Sequence, residues 1–338
     1  MSSAQTVLVT GGAGYIGGIL IPKLLSKGYR VKVLDLYLFG NPVWGTLKNH
    51  PQLEEYKGDI RNQKLLHKVI PGCTSVIHLA CISNDPSFEL DPKLSKSINY
   101  DAFNPLVTIS KECGVRKFIY ASSSSVYGIS KVANVTEDHP LVPLTDYSRY
   151  KCLCEPLLLE EETNDFIPVV LRPATVCGYS PRQRLDLTVN ILTNHAVNTH
   201  KIIVFGGMQM RPNIHIEDMT DLYCRLLELP EKKITGKIYN VGYQNHTVFE
   251  LAKIVKKAVE RKMTKKSRIK VETIPTNDTR SYHISSEKIT QELSFRPKRT
   301  VENAVQDLVA AFRTGKLPNS MTDPRYFNLK MMQQLHLN

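Results

Sequence analysis

The stretch TVLVTGGAGYIGGIL, residues 6–20, constrains the fold more than any other part of the chain. Thr6 to Thr10 is a short β-branched run that reads as a buried strand, and Ile16, Leu20 and Leu24 then recur at helical spacing. Gly11, Gly12, Gly14 and Gly17 therefore fall at a strand-to-helix turn. There, backbone N–H groups and the positive end of a helix can hold a diphosphate. Gly11 suits the tight turn, Gly14 the close approach of phosphate, and Gly17 the packing of helix on strand. A dinucleotide site also wants an acid about 20 residues on, at the end of the next strand, to bond ribose hydroxyls. YRVKVLDLY supplies Asp35, 21 residues after Gly14. A carboxylate there repels a 2′-phosphate and favours NAD over NADP.

Strand candidates are Val7–Thr10, Val31–Leu34, Leu53–Tyr56, Ser75–Leu79, Lys117–Ala121 and Pro168–Leu171, with helices expected over Ile16–Ser26, Asn62–Val69, Leu94–Cys113 and Tyr147–Thr163. This alternation predicts an α/β fold, a Rossmann-type doubly wound parallel sheet, with ligands at the carboxyl ends of its strands. After Arg172 the pattern becomes irregular. It suggests a smaller, interleaved α/β substrate lobe: residues 1–173 and a returning segment at about 213–241 form the dinucleotide-binding domain. Residues 174–212 and 242–320 form the lobe, and 321–338 a C-terminal tail. VFGGMQMRPNIHIEDMTDLY, 204–223, reads as strand, turn, strand and helix.

Composition excludes several classes. Hydrophobic residues at 42% and charged residues at 22% are ordinary for a globular protein. No apolar run approaches the roughly 20 residues of a membrane span, and no signal peptide is visible, so a cytoplasmic location is expected. Seven scattered cysteines without C-x-x-C pairs predict reduced thiols and no metal site. The net charge of +12 is concentrated in KIVKKAVERKMTKKSRIK, 253–270. Leu251, Ile254, Val255, Ala258 and Val259 give that segment an apolar stripe, so its lysines read as the solvated face of a helix. No nucleic-acid motif accompanies them, and no nucleic-acid partner is expected. A basic protein does attract dianionic cofactors and substrates.

DYSRYK, 146–151, places Tyr147 and Lys151 four apart, on one face of a helix. A nearby cation favours phenolate, and a phenol so tuned can take and return the proton of an alcohol. Tyr150 points about 100° away. FIYASSSSVYG, 118–128, sets four serines after an apolar strand, and a serine hydroxyl can both donate to and accept from a substrate oxygen.

TGGAGYIG, LD at 34–35, GDIR, HLA, SSSSVYG and Y-x-x-x-K, in this order, resemble the extended short-chain dehydrogenase/reductase family, in particular its nucleotide-sugar epimerases and dehydratases. The resemblance implies Ser123, Tyr147 and Lys151 as catalytic residues. It implies NAD contacts from Gly11, Gly14, Tyr15, Ile16, Gly17 and Asp35, from Asp59 and Ile60 of GDI, from Leu79 and Ala80 of HLA, and from Asn99. Arg211 would grip the substrate pyrophosphate, with Ser83, Ser124, Thr175, Asn190 and Arg280 as further substrate contacts. Arg182, Arg184 and Asn190 either line the nucleotide pocket or cap the helix from Leu185. His215 and Asp218 are expected to hold their segment to the core. A nucleotide-diphosphate sugar is the implied substrate. The implied assembly is a homodimer through the helices near 94–113 and 147–163, the second expected to kink at Pro156. Ser124 and Ser125 stand where the 4,6-dehydratases carry an Asp-Glu pair. This favours epimerisation, with a dehydrogenase or ketoreductase on the same substrates as the alternative.

Overall fold

The computed structural model describes residues 5–40, 43–130, 132–262, 268–276 and 281–335. The strands are β1 (Thr6–Thr10), β2 (Arg30–Asp35), β3 (Leu53–Lys57), β4 (Ser75–His78), β5 (Lys117–Ala121), β6 (Ile167–Pro173), β7 (Thr175–Cys177), β8 (Lys201–Phe205), β9 (Met210–His215), β10 (Lys237–Val241), β11 (Gln244–Thr247) and β12 (Lys270–Ile274). Among these, seven form one sheet in the order β10-β6-β5-β4-β1-β2-β3. Every neighbouring pair in it is parallel. The order reverses between β1 and β4, which opens the ligand crevice of a doubly wound sheet at their carboxyl ends.

The helices are α1 (Gly17–Ser26), α2 (Gln63–Val69), α3 (Asp85–Leu90), α4 (Pro92–Lys96), α5 (Phe103–Glu112), α6 (Asp146–Leu159), α7 (Thr188–Thr199), α8 (Ile216–Glu228), α9 (Val248–Lys262), α10 (Glu287–Leu293), α11 (Val301–Arg313) and α12 (Asn328–Leu335). Two apolar clusters cover the two faces of the main sheet: one joins Val7, Val9 and Val33 to α1 and α8, the other joins Leu8, Val76 and Phe118 to α2 and α5. A third cluster sits among α7, α9 and α11. In it Leu251, Val255, Ala258 and Val259 of α9 are buried while Lys253 and Lys257 are exposed, so the part of the basic run on α9 has a solvated face. A small sheet, β11-β9-β7, and the parallel pair β12-β8 complete the fold.

The six expected strands of the first half all form, each within two residues of its anticipated ends. The single helix expected over Leu94–Cys113 does not. It is divided into α4, one π-helical turn at Ser97–Asp101, and α5. Pro105 has no N–H for the carbonyl of Asp101 and its ring would crowd that oxygen, so the helix cannot run straight through. In contrast, α6 continues through Pro156 and ends at Leu159, four residues before the expected Thr163. The chain leaves the main sheet after β6 and rejoins it only at β10. Between them, β9 belongs to the small sheet, and α8 packs back on α1, where Lys23 meets Glu217 at 2.6 Å.

Candidate active site

A cavity of about 700 Å³ lies along the carboxyl ends of β1, β2, β4, β5 and β6, within the range of ligand pockets. Gly11, Gly14, Tyr15 and Ile16 line one end, with Asp35, Asp59, Ile60, Leu79 and Ala80 beside them. The glycines are required by geometry. Gly11 has φ +72°, and a methyl there would sit 2.5 Å from the backbone nitrogen of Ala80. A methyl on Gly17 would overlap the carbonyl of Gly12, so Gly17 serves packing and stands behind the cavity wall. Asp35 Oδ2 accepts from Ala13 N at 3.0 Å and Oδ1 from Tyr37 N at 2.7 Å. These bonds fix the carboxylate facing the crevice, and burial pushes its pKa above the usual carboxylate range. Asp59 lines the cavity while chelating Arg61 at 2.7 and 3.0 Å. A backbone cradle a Cβ would fill, at the mouth of α1, with a carboxylate beside it, fits a dinucleotide.

At the other end stand Ser123, Ser124, Tyr147, Lys151, Thr175 and Arg211. Helix α6 is phased by a capping box: Thr145 Oγ1 accepts from Ser148 N, and Ser148 Oγ accepts from Thr145 N at 3.1 Å. That phase brings Tyr147 and Lys151 to the cavity and sends Tyr150 away, where its ring lies 5.7 Å from Phe88 and 5.3 Å from Tyr100. Lys151 Nζ donates to the carbonyl of Ala121 at 2.7 Å and lies 5.0 Å from the Tyr120 ring centroid. Ser123 Oγ accepts from Ser125 N at 3.1 Å and bonds Ser125 Oγ at 2.8 Å.

One electrostatic expectation is corrected. Burial, reinforced by Cys81 and Asp85, pushes the Tyr147 phenol well above its ordinary pKa. The cation that pulls against this is Arg184, while Lys151 is occupied by Ala121.

Besides Gly17, two expected contacts do not reach the cavity. Asn99 is buried on the π-helical turn, where its amide donates to Ile82 O at 2.9 Å and accepts from Ile82 N at 2.8 Å. It holds the loop after β4 from behind. Asn190 is fully buried, accepts from Gly178 N at 3.0 Å, and donates to Tyr15 Oη and Arg184 O. Ser83 does line the cavity, accepting from Arg184 Nη1 and Asn328 Nδ2. Arg280 lies outside the described residues. His215 and Asp218 act as expected: Asp218 accepts from Lys298 N and Arg299 N, and His215 Nε2 lies 3.2 Å from Asp307. Arg182 and Arg184 line the cavity.

Sequence reasoning missed the part played by the C-terminal residues. Phe327, Asn328, Leu329, Lys330 and Met332 form one wall of the cavity. Asn328 N donates to Asp186 Oδ2 at 3.0 Å, and its side chain accepts from Arg182 Nη2 at 2.7 Å. Cys81 and Asp85 were likewise unanticipated lining residues. No local pattern marks any of these, because their partners are distant in sequence.

Residues 7–242 match the model of the NAD dependent epimerase/dehydratase family. UDP-glucose 4-epimerase 2 of Arabidopsis thaliana is 28% identical over 90% of this chain and 94% of its own length. UDP-arabinose 4-epimerase 1 of the same plant is 27% identical over 92% and 79%. In fold, the chain is similar to the UDP-glucose 4-epimerase of Thermotoga maritima solved with UDP-glucose, at TM-score 0.79 and 23% identity over 92% of this chain and 99% of that one. It is equally similar to a dTDP-glucose 4,6-dehydratase of Streptomyces venezuelae solved with NAD, at TM-score 0.82 and 22% identity over 95% and 100%. With a glycine cradle, a crevice-lining acid and a tyrosine–lysine helix in one crevice, the chain belongs to the NAD-dependent epimerase/dehydratase family, enzymes of the extended short-chain dehydrogenase/reductase type whose cofactor is NAD.

Proposed function

We propose that this enzyme epimerises a nucleotide-diphosphate sugar, most simply at C4, through a transient keto-sugar. The observation that carries the reading is one cavity lined by Ser123, Tyr147 and Lys151 at one end and by the glycine turn and Asp35 at the other. When bound, NAD supplies a hydride acceptor and, in its oxidised form, a positively charged ring. The remaining tasks fall to the chain. Ser123 bonds the reacting oxygen in both its hydroxyl and carbonyl states, since its own hydroxyl donates and accepts. Tyr147 would act as phenolate, favoured by Arg184 and by the positive ring, to take the proton of the reacting hydroxyl as its hydride leaves, and would return that proton to the oxygen when the hydride comes back. Lys151, tethered to Ala121, holds a buried positive charge under this end of the crevice. Arg211 and Thr175 line the same cavity, which supports their grip on the substrate's diphosphate. Ser124 and Ser125, in place of carboxylates, support epimerisation over dehydration.

The test is to incubate the purified protein with UDP-glucose and UDP-arabinose, named in its relatives, and to follow the sugar by NMR. Interconversion without added NAD is expected. Stoichiometric NADH release would instead favour the dehydrogenase. Tyr147→Phe should cut turnover by at least ~10²-fold with NAD still retained; unchanged turnover would remove the proposed acid/base. The same reading carries a homodimer through α5 and α6.

A further inference from the structure

Arg182 is 6% exposed and faces the cavity from the loop that follows β7. Its guanidinium stacks on Phe39, 3.5 Å from the ring centroid. Nη2 donates to Asn328 Oδ1 at 2.7 Å and Nη1 to Gln183 O at 3.4 Å, but Nε is buried with no partner. Among the described residues no carboxylate lies within ion-pair distance of it, whereas the adjacent Arg184 is paired with Asp186 at 2.9 Å. A desolvated cation with no carboxylate in direct contact is costly, and an anion arriving within hydrogen-bond distance relieves that cost. Burial, aided by Arg184, lowers the Arg182 pKa to about 9 against the more distant pull of Asp186 and Asp35.

The position says which anion. The backbone nitrogen of Arg182 packs 3.5 Å from where a methyl on Gly18 would lie, in the first turn of α1. Ser180 Oγ, two residues earlier, donates to Tyr15 O at 2.7 Å. The loop is thus stitched to the glycine turn, and its arginine shares the cavity with Gly14, Tyr15 and Asp35. Arg211, on β9, lines the same cavity together with Ser123 and Tyr147.

We infer that Arg182 binds the diphosphate of the dinucleotide cofactor across from the α1 N-terminus, and that Asn328 of the C-terminal helix is the positioning residue that holds its guanidinium there. A charge-assisted hydrogen bond is the interaction at stake. It clamps the cofactor between two elements, the glycine turn and the C-terminal wall.

The experiment measures exchange of bound NAD in the holoenzyme, using isotopically labelled NAD, together with the UDP dissociation constant by calorimetry. Arg182→Gln keeps a donor for Asn328 and removes the charge. It should speed NAD exchange at least tenfold, the worth of one hydrogen bond to a charged group, with UDP affinity within twofold of the parent. Unchanged exchange, or weakened UDP binding with exchange unaltered, would overturn the assignment; the second result would move Arg182 to the substrate's diphosphate. Should Arg182→Gln fail to fold, Asn328→Ala decides. It leaves the charge but frees the guanidinium, and should speed exchange two- to fivefold; no change overturns the inference.

Discussion

Single residues around the cavity are the candidates for its chemistry, and those placed by near neighbours are the ones the sequence discloses. Gly11, Asp35, Tyr147 and Lys151 sit in patterns a few residues long, so spacing alone places them. Asn99 and Asn190 look like equally good polar contacts, yet their amides are consumed by backbone 17 and 12 residues away. Composition and periodicity carry no trace of such pairings. His78, of the HLA motif, is another case. It is 2% exposed and its Nδ1 bonds Thr10 Oγ1 at 2.7 Å. Burial, with Lys151 nearby, lowers its pKa to about 3. Between the ordinary value near 6.5 and about 3, the unfolded chain binds a proton that the folded one refuses. Stability therefore falls as pH drops through this window, by about 1.4 kcal/mol per pH unit from this group, and its share is fully present above pH 6.5. Urea midpoints at pH 7, 6 and 5 should show a shallower acid slope in His78→Asn than in the parent. Parallel slopes would refute the assignment.

Elements are positioned by interactions that no local pattern records. The strands were legible because β-branched runs between turns have few other outcomes. The break at Ser97–Asp101 was legible only in hindsight from Pro105, and the wall formed by α12 was not legible at all. Helix α6, which carries the tyrosine and lysine, is fastened by a buried ion pair. Glu155 meets Arg172 of β6 at 2.6 Å, each side chain 3% exposed, and accepts from Ser122 Oγ at 2.5 Å. Arg172 continues to Tyr127 Oη at 2.7 Å and Glu137 O at 3.0 Å. One network thus ties together the helix bearing Tyr147 and the turn bearing Ser123. Removing one partner of such a pair leaves an uncompensated buried charge, and Glu155→Gln should cost about 3–5 kcal/mol. Chemical denaturation measures this; a loss under about 1 kcal/mol would show that Tyr127 and Glu137 suffice to hold Arg172.

At the scale of the whole molecule, the sequence predicted a parallel doubly wound sheet, but strand order depends on which helices cover which face, and that emerges only in the folded chain. All seven cysteines are unpaired, and among the described residues no helix is long and apolar enough to cross a membrane. The proposed homodimer belongs to this scale. Leu153 on α6 is 41% exposed, between the cavity-facing Lys151 and the buried Leu158. Sedimentation of the purified protein should give twice the chain mass, and Leu153→Asp should shift it toward the monomer without altering the far-ultraviolet spectrum. A parent that sediments as a monomer would refute the pairing.

The excursion between β6 and β10 bears on how this enzyme can be recombined with its relatives. A chimaera joined once, after Pro173, would import a foreign β10 that must rebuild its ladder on a native β6, and a mismatch there leaves a sheet edge open to aggregation. A graft cut at two joints, before Ala174 and before Lys237, keeps that ladder whole and transplants β7 through α8 as one cassette.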